Sequence, residues 1–131
     1  MKAAVLQQVG RIEIVDARMP QCDPSGIVIK VGACAVCGTD VKVYHHGHKH
    51  SVPPRITGHE LAGEVVEVGK NVRTVKVGDR VAVAPAVPCG ECRYCLAGMQ
   101  SMCDNLIAIG YHCDGGFAEY MAVPPVAVRN G

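Results

Sequence analysis

The sequence has few aromatic residues: it contains no tryptophan, one phenylalanine and four tyrosines, although 49% of its 131 residues are apolar. A core must therefore be built from aliphatic side chains, and valine is prominent among them. Valine suits the half-buried surface of a strand because its branched Cβ restricts χ1. A chain of this length suits one compact domain. The composition therefore favours a single, mainly β domain.

Charge of one sign and long apolar runs are also lacking. The net charge is +1, and the lysines and arginines are scattered, which excludes the basic surface that nucleic acid or an anionic membrane requires. No apolar run approaches the roughly 20 residues of a membrane span, and the N-terminus lacks the apolar segment of a signal peptide. We therefore expect a cytoplasmic protein without nucleic-acid or membrane partners. In that reducing compartment, the eight cysteines are metal ligands or free thiols rather than disulfides.

Internal repeats and low-complexity tracts are absent, and short extended segments alternate with glycine and proline. "KAAVL" and "RIEIV" indicate paired strands. "IVIKVGACAV" indicates a longer strand interrupted at Gly32, and "ELAGEVVEVG", "RVAVAP" and "GGFAEYMAVP" indicate three more. The segment "GTDVKVYHHG" predicts a helix that Thr39 or Asp40 caps and Gly47 ends. This pattern is typical of a small, partly open β-barrel with short helices.

The most specific motif is a lobe at about residues 88–104 with the spacing C-x2-C-x2-C-x7-C. Four thiolates with no open position are typical of a structural zinc site, in which the metal replaces a hydrophobic core. Two alternatives stay open: an iron–sulfur cluster, whose usual run has a shorter last gap followed by proline, and disulfides. The predicted ligands are Cys89, Cys92, Cys95 and Cys103.

A second set of metal-binding residue types lies upstream, in "CGTD" and "GHE". Cys37, His59 and Glu60 offer a thiolate, an imidazole and a carboxylate, a mixture that leaves a fourth zinc position for water or substrate. Asp40 could accept a hydrogen bond from the His59 ring, and Thr39 offers a hydroxyl near the metal. From residue types alone, packing and surface roles for these side chains are the more frequent interpretation.

The order of "CGTD", "GHELAGEVVEVGKNV", "VGDRV", the four-cysteine lobe and "GGFAEYMAVP" resembles zinc-dependent medium-chain dehydrogenases/reductases of the alcohol, sorbitol and threonine dehydrogenase kinds. The resemblance runs over essentially the whole chain. It implies a GroES-like catalytic domain at residues 1–131 with two zinc ions, a structural one in the lobe and a catalytic one on Cys37, His59 and Glu60. In relatives with this "GHE" form, the glutamate sometimes exchanges with water or substrate.

The same resemblance implies oxidation of a primary or secondary alcohol. Zinc would stabilise the alkoxide, Thr39 would relay the proton, and hydride would pass to NAD or NADP. Relatives carry a histidine where this chain has Lys42, so Lys42, His45 or His46 could complete the relay. The "YHHGHKH" tract otherwise reads as a solvated loop able to bind adventitious metal.

The chain departs from these relatives in having no G-x-G-x-x-G turn, which dinucleotide binding normally needs. We therefore expect the catalytic domain of a longer enzyme, without its cofactor domain and inactive alone. The full-length form could be a homo-oligomer. Two other hypotheses stay open, a non-enzymatic zinc-binding GroES-like module and a thiol-based redox sensor.

Overall fold

The computed structural model describes residues 1–129, and strands dominate this part of the chain. The elements, in order, are β1 (Lys2–Gln8), β2 (Arg11–Asp16), β3 (Ile27–Ala35), α1 (Gly38–His46), β4 (Arg55–Ile56), β5 (Glu60–Val68), β6 (Arg80–Val83), β7 (Ala86–Val87), α2 (Arg93–Leu96), a 3₁₀ turn (Gln100–Met102), β8 (Ile107–Ala108), β9 (Tyr120–Val123) and α3 (Pro125–Arg129). The mainly β class with short helices is confirmed.

The strands form three open sheets. Their orders are β2-β1-β4, β6-β5-β3-β9 and β7-β8, and every ladder between named strands is antiparallel. The first sheet joins the segment before β9, because the Ala4 N–H donates to the Phe117 carbonyl at 2.8 Å. Residues 1–129 therefore contain no parallel sheet of the dinucleotide-binding kind, in agreement with the missing glycine-rich turn.

The predicted interruption of β3 is confirmed at Gly32. β3 pairs with β5, and the register shifts between Val31 and Ala33, as at a β-bulge that bends its strand. This bend positions the end of β3, from which the first candidate site is built.

The core is aliphatic, as the composition predicts. Its main cluster joins residues of the four-stranded sheet to Val87 of β7 and to Ile109, which follows β8. The most buried apolar side chains in that cluster are Ile29, Val65, Ile109, Met121, Val87 and Ile27. A smaller cluster of Ala3, Val5 and Ile56 lies under the first sheet. Full burial of such a side chain contributes about 1.5–3 kcal/mol.

The helices differ from the prediction in two ways. The N-cap of α1 is Cys37, not Thr39 or Asp40, and Asp40 instead accepts the Cys37 N–H from the third helical position. Helix α3 was not predicted. It begins at Pro125 because proline fits the first turn of a helix, where its missing N–H costs nothing. No helix in residues 1–129 has the length and apolar character needed to cross a membrane.

Candidate metal centres

The register of β3 and β5 brings the first candidate site together. Ala35, at the end of β3, lies opposite Glu60, at the start of β5. Cys37 follows Ala35 by two residues, and His59 immediately precedes Glu60. One ligand atom from each of Cys37, His59 and Glu60 lies within 4.8 Å of the other two. The fold therefore joins two motifs that are far apart in sequence.

This set is open on one side. His59 is buried, with 7% of its surface exposed, whereas Cys37 is half-buried and Glu60 is exposed. Thr39 lies on the first turn of α1, and its Oγ1 is 3.2 Å from Nε2 of His59. A mixed ligand set with one exposed member matches the arrangement of a catalytic rather than a structural zinc.

Asp40 connects the two halves of this site. Its Oδ2 accepts the Cys37 N–H at 2.9 Å, and its Oδ1 accepts the Gly58 N–H at 3.3 Å. Oδ1 also lies 3.5 Å from Nδ1 of His59, a buried nitrogen with no hydrogen-bond partner. The predicted ring-to-carboxylate contact is therefore present as a close approach, slightly longer than a hydrogen bond. It directs Nδ1 towards Asp40 and leaves Nε2 on the side of Thr39.

The proposed relay residues form no hydrogen bond with the Thr39 hydroxyl within residues 1–129. Lys42 is exposed on α1, and His45 and His46 are exposed on its last turn. Within residues 1–129, the hydrogen bond of the Thr39 side chain is to His59. The choice among Lys42, His45 and His46 therefore stays a prediction.

The second candidate site is the lobe between β7 and β8. Its four sulfur atoms all lie within 4.8 Å of one another, and the Cys89 and Cys95 sulfurs are 4.0 Å apart. Four thiolates at about 2.3 Å from a tetrahedral zinc would be separated by about 3.8 Å. The residues therefore fit such an ion, and they also stay unbridged, as do all eight cysteines.

Backbone donors around the lobe favour thiolates. The Cys89 N–H donates to the Cys103 sulfur at 3.2 Å, and the Cys92 N–H donates to the Cys89 sulfur at 3.4 Å. The backbone N–H of Cys95 and then that of Asp104 lower the pKa of Cys92 to about 6. Burial, followed by the neighbouring thiols, raises the pKa of Cys95 to about 12. A cation would supply the charge that lets all four sulfurs ionise together.

The lobe is fastened to the rest of the domain at its first ligand. Arg129, at the end of α3, donates to the Cys89 carbonyl at 2.7 Å, and its guanidinium lies 4.0 Å from Glu91. Cys89 follows the buried Val87 of β7. The lobe is therefore connected to the core through β7 and to the C-terminal helix through Arg129.

Two residues near the first site, Tyr111 and Gly115, were missed from the sequence. The Tyr111 ring lies 6.0 Å from the His59 ring, measured between centroids. Gly115 packs directly against the backbone of Thr57 and Gly58, just before His59. The adjacent "GG" pair was the only local signal for Gly115, and no spacing rule predicts the position of Tyr111.

These observations define the class of the protein: an antiparallel β domain with a four-cysteine lobe and an open Cys-His-Glu cluster, which is the GroES-like domain of zinc-type dehydrogenases. The chain belongs to the family described as the alcohol dehydrogenase GroES-like domain, which matches residues 23–129.

Individual relatives agree with this assignment. The chain is 41% identical over 129 residues to an L-threonine 3-dehydrogenase of Caldanaerobacter subterraneus subsp. tengcongensis, covering 95% of this chain and 37% of that protein. A cobalt- and zinc-bound thermostable alcohol dehydrogenase of Pyrobaculum aerophilum is 38% identical with a TM-score of 0.88, covering 95% of this chain and 39% of the other. The short chain alcohol dehydrogenase RspB of Escherichia coli CFT073, complexed with NADH, is 35% identical with a TM-score of 0.86, covering 97% and 37%. The chain thus spans little more than a third of the length of these relatives.

Proposed function

We propose that residues 1–131 form the catalytic domain of a zinc-dependent, NAD(P)-linked alcohol or polyol dehydrogenase. The observation that carries the proposal is the open Cys37, His59 and Glu60 set with the Thr39 hydroxyl beside it. Membership of the alcohol dehydrogenase family and the metal bound by the Pyrobaculum aerophilum relative support it.

The two clusters would hold one zinc ion each. Cys89, Cys92, Cys95 and Cys103 would close a structural site, and Cys37, His59 and Glu60 would leave a coordination position for substrate. Cys37 and His59 are the firmer ligands of the second ion, because Glu60 is exposed and free to exchange with water. Eight unbridged cysteines agree with a reducing, cytoplasmic location.

The residues of this chain would orient the alcohol and move its proton. Zinc, when bound, supplies Lewis acidity, and a nicotinamide, when bound, supplies the hydride acceptor. The Thr39 hydroxyl lies on the open side of the cluster and would take the alcohol proton. Asp40 holds the Cys37 and Gly58 backbones in place and faces Nδ1 of His59, which fixes the ring that presents Nε2 to the site.

The nicotinamide would be held elsewhere than in residues 1–129. These residues contain no parallel sheet with a glycine-rich turn, the usual means of binding a dinucleotide. We therefore expect the 131-residue chain alone to bind metal without turning over alcohol. The RspB relative was crystallised with NADH, which supports NAD or NADP as the acceptor.

The first prediction concerns metal content. Cys37→Ala is expected to lower the zinc content from two ions per chain to one while leaving the fold intact, because the lobe site is separate. Elemental analysis with circular dichroism measures both quantities. Cys22→Ala, at a half-buried thiol outside both clusters, is the control and should retain two. An unchanged zinc content in Cys37→Ala would contradict the catalytic zinc site and favour the hypothesis of a non-enzymatic zinc-binding module.

The second prediction concerns Asp40. Asp40→Asn is expected to weaken zinc binding at the Cys37 site by roughly 10–100-fold, the usual cost of losing a partner behind a metal ligand. The neutral amide can no longer accept from both backbone N–H groups while facing His59 with negative charge. Competition with a chelator of known affinity measures the loss. Asp16→Asn, which removes only an exposed ion pair with Lys2, should bind zinc as the unaltered chain does; equal affinity for the two variants would argue against this role.

A further inference from the structure

A series of ring contacts leads from the first candidate site to the surface. The Tyr111 ring lies 6.0 Å from the buried His59 ring, and His48 meets Tyr111 edge-on at 4.9 Å. His50 lies 5.6 Å from His48 and stacks on His112 at 4.6 Å. Three exposed imidazoles therefore follow Tyr111: His48 is two ring contacts from His59, His50 is three and His112 is four.

These rings are held on two segments that are fastened to each other. Ser51 is fully buried, and its hydroxyl donates to the Gly110 carbonyl at 3.1 Å. Ser51 also forms an antiparallel bridge with His48. Tyr111 and His112 directly follow Gly110 along the chain. The ring cluster therefore lies on two hydrogen-bonded segments beside the site, although the sequence of this tract is typical of a solvated loop.

Hydrogen bonds to Nδ1 fix the tautomers of two of these rings. Nδ1 of His48 accepts the His50 N–H at 3.2 Å, and Nδ1 of His112 accepts the Ala108 N–H at 3.0 Å. A nitrogen that accepts carries no proton, so each neutral ring bears its proton on Nε2. Both rings therefore present an N–H donor, even without positive charge. A metal ion at Nε2 would require that proton to move to Nδ1, which would break the backbone hydrogen bond.

The cluster contains imidazoles and one lysine. Desolvation, and then His112, Lys49 and His48, lower the pKa of His50 from its ordinary value, which favours its neutral ring. The nearest carboxylate after His112 in the sequence is Asp114, and it is engaged by the Arg55 guanidinium at 3.1 Å and by the Ile56 N–H at 3.2 Å. The cluster therefore offers the Nε2–H donors of His48 and His112, with Lys49 as a neighbouring cation, to a negative group.

We propose that His48 and His112 form an anion-binding rim that receives the carboxylate or phosphate of an acidic hydroxy compound, whose alcohol lies at Cys37, His59 and Glu60. The inference rests on the proposed function, because it extends the same site outwards past Tyr111. It narrows the substrate class from alcohols in general to polyhydroxy acids or polyol phosphates.

Matched ligands and ring signals test the rim directly. The zinc-loaded chain, with ¹⁵N-labelled histidine, is titrated with gluconate, glucitol 6-phosphate and uncharged glucitol. We expect saturable shifts of the Nε2–H signals of His48 and His112 with one or both acids, and none with glucitol at the same concentrations. Comparison of the two acids distinguishes a carboxylate from a phosphate site. Equal shifts with glucitol, or none with either acid, would overturn the proposal.

Ring-preserving variants complete the test. His48→Phe and His112→Phe keep an aromatic ring but remove the N–H donor, and each should weaken binding of the acid by roughly tenfold, the loss of one hydrogen bond to a charged group. Lys76→Gln, which removes an exposed positive charge outside the ring cluster, is the control and should bind unchanged. A variant at His48 or His112 that binds as tightly as the control, or a third zinc taken up by these rings, would contradict the rim. If the chain binds two zinc ions but no acid, the rim is wrong and the proposed function stands. If the chain binds the acid but no zinc at Cys37, the proposed function is wrong and the rim stands.

Discussion

Replacing Cys92 with alanine is expected to leave one zinc ion per chain and to lower the free energy of unfolding by several kcal/mol. No side chain between residues 90 and 106 is buried, so the lobe has no apolar core to keep it folded without metal. Structural zinc contributes apparent binding energies of about 10–16 kcal/mol in small peptides, and this energy is folding energy. Elemental analysis and urea unfolding followed by circular dichroism measure the two effects.

Cys37→Ala is the matched comparison for Cys92→Ala, because it removes the zinc ion of the open site. Both variants should lose one ion, but only Cys92→Ala should lose most of its stability, because the lobe is connected to the core through Val87 and to α3 through Arg129. Cys22→Ala should lose neither. If Cys92→Ala unfolds at the same urea concentration as Cys37→Ala, the lobe is not a folding element.

The lobe could be predicted because its information is local. Cys89, Cys92 and Cys95 recur every three residues. The α2 turn after Cys92 directs the next sulfur towards the site without a contact from a distant segment. The four ligands lie within fifteen residues, so backbone geometry alone limits how far apart their sulfurs can be. The same holds for α1, whose start and end are specified by neighbouring residues.

The open site could be suspected but not assembled from residue types. Cys37 and His59 meet because Ala35 pairs with Glu60, and that pairing depends on the register shift at Gly32. A shift of one residue would turn each side chain to the opposite face. Sequence spacing carries no such information, which is why the resemblance to a known family, rather than the residue pattern, favoured this cluster.

The shortest strands and the contacts of the histidine tract could not be predicted from the sequence, for two different physical reasons. Strands β4, β7 and β8 have two residues each, too short for an alternating pattern to emerge. The histidines of "YHHGHKH" form a biased tract that is typical of a solvated loop, yet His48 contacts Tyr111, which lies more than sixty residues later in the chain. Contacts between loops depend on the whole fold, and no local pattern encodes them.

Gly115→Ala is expected to have the other large effect, on stability and on the Cys37 zinc together. A Cβ at Gly115 would overlap the Gly58 carbonyl oxygen and lie 2.6 Å from the Thr57 carbonyl oxygen. Both neighbours are backbone atoms, so neither can rotate away. Gly115 also donates to the Ile56 carbonyl at 2.7 Å, which holds the two segments at this distance. We expect a loss of about 1–3 kcal/mol or more, as for other overpacked interiors, measured by urea unfolding.

The zinc affinity of Gly115→Ala separates a general loss of packing from a local one. Because His59 follows Gly58 directly, backbone displacement there should move the imidazole away from Cys37 and weaken the open site, while the lobe keeps its ion. Gly38→Ala is the matched control: its Cβ would meet no atom within 4 Å, and alanine in a helix is favoured over glycine by about 0.5–1 kcal/mol. That variant should be at least as stable as the unaltered chain and should retain both zinc ions. A Gly115→Ala chain that loses stability but binds the second zinc with full affinity would show that the position of His59 does not depend on this contact, and would leave Asp40 as its main support.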